Sequence, residues 1–331
     1  MTRPLLPRRR ALALSAGALA APMIASGAAQ TADEWPNRPV RYVCIFPPGG
    51  PTDSLSRVLC QQFIELTGQQ FIVENKSGSG GNVGAEAIAK SAPDGYTVGM
   101  LSIASHAIAP TLYKRLPFDA EKDFTPISLL WLVPNMLMVR LGLNVKTIPE
   151  LIALAKANPG KYSFGSAGAG TTPHICGEML KKLAGIDLLH VPYRGAAPAT
   201  QDLLAGNVDM MFDNIPNPLA QMRAGKVVGL AVTSPEPSPV APEIPPMSKF
   251  LTGFEMISWG GLCGPAGLAE PVVTRMSELT RKVLESEFVK TNFLKQGATP
   301  KWTSPDDTVA FRRAEEKRLA PIVKESGARV D

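Results

Sequence analysis

Apolar positions along the chain alternate between two periods. Residues 40–46 form a continuous apolar run of strand length, whereas 53–67 place Leu55, Val58, Leu59, Phe63 and Leu66 at helical spacing and stop at Gly68. The exchange repeats with a strand over 71–75, a helix over 81–91 and a strand over 97–102. It resumes with a helix over 147–158 that ends at Pro159-Gly160. Strands over 162–166, 188–191, 208–213 and 227–232 then alternate with helices over 172–184, 198–205 and 217–224. Such alternation predicts a parallel sheet with helices on both faces. Residues 234–246 hold six prolines and read as a surface loop. A strand over 256–263 and two amphipathic helices, 269–285 and 305–326, complete the chain.

Two α/β units therefore flank residues 131–135. Strand 256–263 can return the chain to the first unit. The resulting division is a discontinuous domain 1 (35–133 plus 256–331), a continuous domain 2 (134–255) and a cleft between them.

Composition narrows the class. The chain has 331 residues, 45% hydrophobic and 19% charged, which excludes wholesale disorder. The formal charge is +5, but Arg3, Arg8, Arg9 and Arg10 lie in 1–29, which holds no acidic residue. Subtracting those four leaves +1, so no basic stripe exists to follow a phosphate backbone and no nucleic-acid partner is expected. Those arginines precede an Ala/Leu run over 11–21 and the small residues 25–29. This order reads as a cleaved signal peptide, 1–29, with the adjacent arginines leaving the general secretory and twin-arginine routes open. The apolar run is shorter than the roughly 20 residues of a spanning helix.

Cys44, Cys60, Cys176 and Cys263 form no C-x-x-C and no Cys/His cluster, so no metal is expected. Cys44 and Cys60 could pair in an oxidising compartment; buried free thiols are the favoured reading.

The chemistry is concentrated in loops that follow strands. They are Pro47-Pro48-Gly49-Gly50-Pro51-Thr52-Asp53, Lys76-Ser77-Gly78-Ser79-Gly80-Gly81-Asn82-Val83-Gly84 and Gly165-Ser166-Ala167-Gly168-Ala169-Gly170-Thr171-Thr172. Ligand crevices of open α/β sheets lie beyond the carboxyl ends of the strands. Small residues at helix N-termini present unpaired amides and a partial positive charge there. Three such loops facing one cleft predict a small anion, most simply a carboxylate. The same glycines would also serve tight turns, and Thr52 or Asp53 a plain N-cap.

Competing motifs fail. Gly78-x-Gly80-x-x-x-Gly84 misses the dinucleotide fingerprint by one residue, no phosphate-binding G-x-x-x-x-G-K-[ST] exists, and Gly165-Ser166-Ala167-Gly168 is not a nucleophile elbow. Of the three histidines, His106 follows Ser102 and Ser105 at a strand end, where it could line the cleft or sit hydrogen-bonded at the surface. His174 opens a helix and could face the same cleft; His190 reads as structural. Tyr193 could offer a hydroxyl or a ring wall. Asp213 could receive a ligand amine or cap the next helix.

These segments resemble a known family. Trp35-Pro36-Asn37-Arg38-Pro39-Val40, Pro48-Gly49-Gly50-Pro51-Thr52-Asp53, Val73 through Gly84, Ala92-Pro93-Asp94-Gly95-Tyr96-Thr97, Asn158-Pro159-Gly160-Lys161, Val191-Pro192-Tyr193-Arg194-Gly195 and Asp202-Leu203-Leu204-Ala205-Gly206 occur in the order seen in tripartite tricarboxylate transporter solute-binding proteins, the Bug family. The resemblance implies a type II periplasmic binding protein fold, two α/β domains with a hinge that close on a ligand between them. It implies a periplasmic monomer without a cofactor, partnered by a small carboxylate and by membrane transporter subunits. By position it assigns the ligand loops to Pro48, Gly49, Gly50, Thr52 and Asp53, to Ser77, Gly78, Ser79 and Gly80, and to Ser102, Ser105 and His106. The second domain would contribute Ser166, Ala167, Gly168, Thr171, Thr172, His174, Tyr193, Gly195 and Ala196, with Asp213 at a hinge-side strand end. The proline-rich 234–246 and Cys176-Gly177 depart from the family pattern.

The leading expectation is thus an exported receptor for a small carboxylate, either a di- or tricarboxylate, an acidic amino acid or an aromatic acid. A sensor presenting its closed form to a signalling partner is the alternative. An α/β hydrolase pairing Ser166 or Ser102 with His106 or His174 ranks below both.

Overall fold

The computed structural model describes residues 35–328 and residue 330. The signal peptide read over 1–29 lies outside the described residues. The first half runs β1 (Val40–Cys44), α1 (Pro51–Thr67), β2 (Phe71–Asn75), α2 (Asn82–Ala89) and β3 (Thr97–Ser102). A π-helical turn, Ala104–Ile108, then enters the short α3 (Ala109–Leu112), and β4 (Phe124–Arg140) follows. The second half holds α4 (Ile148–Ala157), β5 (Ser163–Ser166), α5 (Thr172–Ala184), β6 (Leu189–Pro192), α6 (Ala196–Ala205), β7 (Met210–Asn214), α7 (Pro216–Arg223) and β8 (Val227–Val232). The chain ends in β9 (Ile257–Pro265), α8 (Glu270–Glu285), α9 (Glu287–Lys295), β10 (Thr299–Pro300) and α10 (Pro305–Glu325).

Strand order is β2-β1-β3-β9-β4-β7-β5-β6, with β8 and β10 also paired to β4. Only β1, β2 and β3, and separately β5, β6 and β7, are parallel neighbours. The all-parallel expectation is therefore corrected: β9 runs antiparallel to β3 and β4, and β4 antiparallel to β7 and β8. The cause is β4, a 17-residue strand that the periodicity did not reveal. Pro126 and Pro134 interrupt its pattern, and its register with β9 shifts twice, next to Pro126 and again between Leu129 and Trp131.

β4 serves both halves. Its residues up to Pro134 pair with β9, and from Asn135 onward it pairs with β7 and, beyond Asn135, β8. At this switch Thr233 ties three segments together. Its N–H donates to Asn135 O (2.8 Å), its Oγ1 accepts from Asn135 N (2.9 Å), and its carbonyl accepts from Met256 N (3.0 Å).

Helices cover the sheets by their apolar stripes. On α1, Leu55, Leu59 and Phe63 are buried, and Gly68 closes the helix in the left-handed conformation. On α8, Val272, Met276, Leu279 and Val283 are buried against α1 and β4. The tail contains a third helix, α9, because Ser286 stops α8 and caps α9 by accepting from Val289 N. The proline-rich 234–246 is a turn-rich connection, but Ser238, Ala241 and Ile244 are buried. All four cysteines are buried free thiols, so Cys44 and Cys60 do not pair.

Gly177 on α5 makes room for Phe164 of β5, whose ring would lie 2.0 Å from an added Cβ. Alanine gains about 1 kcal/mol of helix propensity there. Overpacking against a fully buried ring costs about 1–3 kcal/mol. Gly177→Ala is therefore expected to lower the midpoint of thermal unfolding, measured by circular dichroism; an unchanged or raised midpoint would mean that Phe164 relocates freely.

Candidate ligand-binding site

Three helices begin at one cavity between the halves. Gly50 precedes α1, Thr171 precedes α5 and Gly195 precedes α6, and none of these starts is closed by a side-chain cap. Helices α4, α9 and α10 are capped by Thr147, Ser286 and Ser304. First-turn amides have no intrahelical acceptor, so Thr52, Thr172 and Ala196 bring uncapped donors and the positive ends of three helix dipoles to one space. Pro51 and Pro173 preset the first turns of α1 and α5.

The cavity measures about 50 Å³, space for a few water molecules or the head group of a small solute. Its polar wall is Thr52, Ser102, Thr171, Thr172, Asp213, Asn214 and Ser258; Phe46, Met100, Trp131 and Trp259 supply the apolar wall. No Lys, Arg or His lines it among the described residues, and Asp213 is its single acid. Burial pushes the Asp213 carboxyl up to about 7, against the opposing pull of Asn217 and the Asn214 amide. Thr172 donates to Asn135 Oδ1 (3.2 Å), so the start of α5 is joined to the strand switch on β4.

Of the residues singled out by sequence, Gly50, Thr52, Ser102, Ala167, Thr171, Thr172, Ala196 and Asp213 line this cavity. The three loops are distributed over two adjoining spaces. Ser77, Gly78, Ser79, Gly80, Gly168 and Tyr193 surround an adjoining cavity of about 220 Å³. Phe46 and Ala167 line both.

Others face neither space, for identifiable reasons. Pro48 and Gly49 are on the exposed side of their loop. Asp53 turns back into that loop, accepting from Gly49 N (3.0 Å), Arg57 Nε (2.9 Å) and Asn75 Nδ2 (2.8 Å). Burial raises its carboxyl, but these bonds and the Arg57 charge outweigh it and hold the group below its ordinary value. Ser105 bonds His106 Nδ1 (2.8 Å), and His106 is fully buried against Phe118 and Phe124. Gly195 abuts Pro47.

Ser166 and His174 brace the third loop from behind. Ser166 Oγ meets His190 Nε2 at 2.7 Å and accepts from Gly168 N (3.2 Å); His174 Nδ1 accepts from Gly170 N (3.1 Å). Ser166 thus pairs with His190 rather than His174, and it is fully buried, out of reach of a substrate. His174, Glu178 and His190 bring ligating atoms within 4.8 Å of one another. The two imidazoles are stacked, however, with centroids 4.0 Å apart and planes 14° from parallel. Their in-plane lone pairs therefore do not converge on a shared ion, and the group reads as a hydrogen-bonded stack.

Sequence reasoning missed Trp131 and Trp259, which reach the cavity from β4 and β9, together with Ser258 and Asn214. A local signal existed only for Asn214, which follows Asp213.

A model of the tripartite tricarboxylate transporter family receptor matches residues 55–328. Protein BugT of Bordetella pertussis is 34% identical over 303 residues, covering 91% of this chain and 93% of that protein. The periplasmic binding protein BugD superposes with a TM-score of 0.85 at 34% identity, over 89% of this chain and 99% of that one. An R. palustris protein solved with adipate gives a TM-score of 0.87 at 32% identity, over 89% and 100% of the two chains. The fold is the type II periplasmic binding protein fold, and these relatives are solute-binding proteins rather than enzymes.

Two glycines permit the close approach of the halves. A Cβ on Gly80 would lie 2.3 Å from Ala169 O, and one on Gly195 would lie 2.2 Å from Pro47 Cγ. Both also have positive φ, +65° and +146°. Gly80→Ala with Gly195→Ala is expected to hold the halves apart, seen as a larger radius of gyration in small-angle X-ray scattering; an unchanged radius would show that the contacts do not limit approach.

Acid should destabilise the chain. Burial pushes His106 and His174 down to about 3 and His190 down to about 4. The unfolded chain then binds more protons below the ordinary value near 6.5. Their stabilising contribution is complete above that pH and lost as pH falls towards 3–4. Asp213 acts oppositely between its ordinary value of 3.8 and about 7, but one group opposes three. The urea midpoint is expected to fall steadily from pH 6.5 to pH 4; a flat profile would contradict the neutral buried imidazoles.

Proposed function

The chain belongs to the tripartite tricarboxylate transporter receptor family, and on that premise we propose that it is a periplasmic receptor that captures a small carboxylate between its halves and presents it to membrane transporter subunits. The observation that carries this reading is the convergence of the α1, α5 and α6 starts on a cavity without a cationic side chain. A carboxylate takes several N–H and O–H donors at once, and helix starts supply them already oriented. Gly50, Thr52, Ser102, Thr171, Thr172 and Ala196 hold the head group. A longer solute extends past Phe46 and Ala167 towards Tyr193 and the 77–80 loop. The adipate held by the R. palustris relative, a six-carbon diacid, fits such a solute class.

Residues 35–133 with 256–331 form one lobe and 134–255 the other. The change of β4 partners at Pro134 and Asn135 supports that division. Closure follows from contacts that a solute makes to both lobes at once, because only differential affinity shifts such an equilibrium.

Trp131 and Trp259 line the cavity, so binding should change intrinsic fluorescence. Titration with di- and tricarboxylates, acidic amino acids and aromatic acids, confirmed by calorimetry, is expected to identify an acid that binds. Ala196→Asp, which puts a like charge at the start of α6, should weaken that acid by about 100-fold or more. Tight binding of a neutral sugar or an amine, with every acid inert, would refute the assignment.

A further inference from the structure

We propose that the receptor takes up one proton together with its carboxylate, and that Asp213 holds it. The inference rests on the carboxylate reading above and adds a regulation of the same site.

Asp213 is the penultimate residue of β7, lines the cavity and is only 2% exposed. Both oxygens are engaged by uncharged donors: Oδ1 accepts from Asn214 N and Oδ2 from Asn217 Nδ2, each at 2.8 Å. Asn217 Nδ2 also donates to Thr200 Oγ1 (2.7 Å), which anchors it on α6. Among the described residues no cation pairs with this acid. On β4, Arg140 pairs with Asp209. On α5, Glu178 pairs with Lys181, Lys182 pairs with Glu325, and His174 bonds Gly170 N. On α6, Asp202 accepts from Tyr193 Oη, and on α7, Arg223 donates to Val240 O. Across the cavity, Asp53 is paired with Arg57. Each of these groups is committed elsewhere.

An ionised Asp213 and a ligand carboxylate would therefore share one desolvated space with no cation between them. Two carboxylates at close range cannot both stay ionised; one retains a proton and donates it to the other. The proton comes from solution when the ligand binds and returns when the ligand leaves, so no other reactant is needed. The unliganded carboxyl, raised to about 7 by burial, is already poised for this exchange. Affinity should be nearly constant below that pH and fall about tenfold for each unit above it, by linkage.

Calorimetry with adipate at pH 8, in phosphate and in Tris buffer, counts the protons. The expected result is an enthalpy that differs between buffers by nearly one proton's worth of buffer ionisation, and a Kd about tenfold weaker at pH 8 than at pH 6. In Asp213→Asn the buffer dependence and the pH dependence should both vanish. Adipate binding with equal enthalpy in both buffers overturns proton uptake, and persistence of the effect in Asp213→Asn overturns its assignment. If adipate does not bind, or the variant does not fold, carbon-13 titration of the Asp213 carboxyl in the unliganded native chain decides. A midpoint near 7 supports the proposal and one near 4 overturns it. Failure of every acid to bind counts instead against the carboxylate reading.

Discussion

An uncapped helix start in a closed space is a demand that the fold itself does not meet. The first amides of α1, α5 and α6 have no acceptor within their own helices, and no described side chain caps those starts. Dipoles of this kind carry about half a charge each and are already desolvated, unlike an arginine, whose burial would cost several kcal/mol before any pairing. The arrangement holds positive potential in place while keeping the cavity free of cations. Much of the surrounding structure serves to place those starts. Asp53 pins the loop before α1 to Arg57 and Asn75, and Ser166, His174 and His190 pin the loop before α5.

The second constraint is that the starts belong to different halves. α1 lies in the first and α5 and α6 in the second, so the cavity is walled from both. β4 makes that arrangement specific. Its pairing partners change between Pro134 and Asn135, and Thr233 ties the switch to the returning chain at Met256. Thr172 Oγ1 and Asn214 Nδ2 both donate to Asn135 Oδ1, so the switch and the cavity share one hydrogen-bonded residue. Tyr113 Oη donates to Ser79 O (3.2 Å) and Ala169 O (3.0 Å), joining the two glycine loops.

Local features were legible in the sequence, and non-local ones were not. Strands 71–75, 97–102 and 227–232 and helix 172–184 were bounded correctly, because Gly and Pro punctuate them and their periods are clean. Thr52, Thr171 and Thr172 could be nominated from chemistry that lies within a few residues of a helix start. β4 was missed because Pro126 and Pro134 break its pattern, and the antiparallel centre of the sheet was missed with it. Trp131, Trp259 and Ser258 reach the cavity only because β4 and β9 pair across more than a hundred residues. The histidines misled for a related reason. Placement after a strand suggests a cleft, but His106 has a buried aromatic pocket to fill and His174 a backbone amide to accept.

Those histidines bear on how the site treats charge. Burial keeps His174 and His190 neutral at ordinary pH, so the brace behind the third loop adds no cation to the potential at the cavity. Arg57 is neutralised by Asp53, and Lys181, whose charge acts on the brace, by Glu178. With Arg57, Lys181 and the buried imidazoles cancelled or suppressed, the fixed dipoles of the helix starts favour an anion over a cation in this cavity. A neutral solute of the same shape would gain the hydrogen bonds but not the dipole interaction, and would leave the apolar wall of Phe46, Met100, Trp131 and Trp259 as its main source of affinity. Selectivity for charge thus comes from backbone geometry, whereas selectivity for size and shape falls to side chains on β1, β3, β4 and β9 and the loops that follow them.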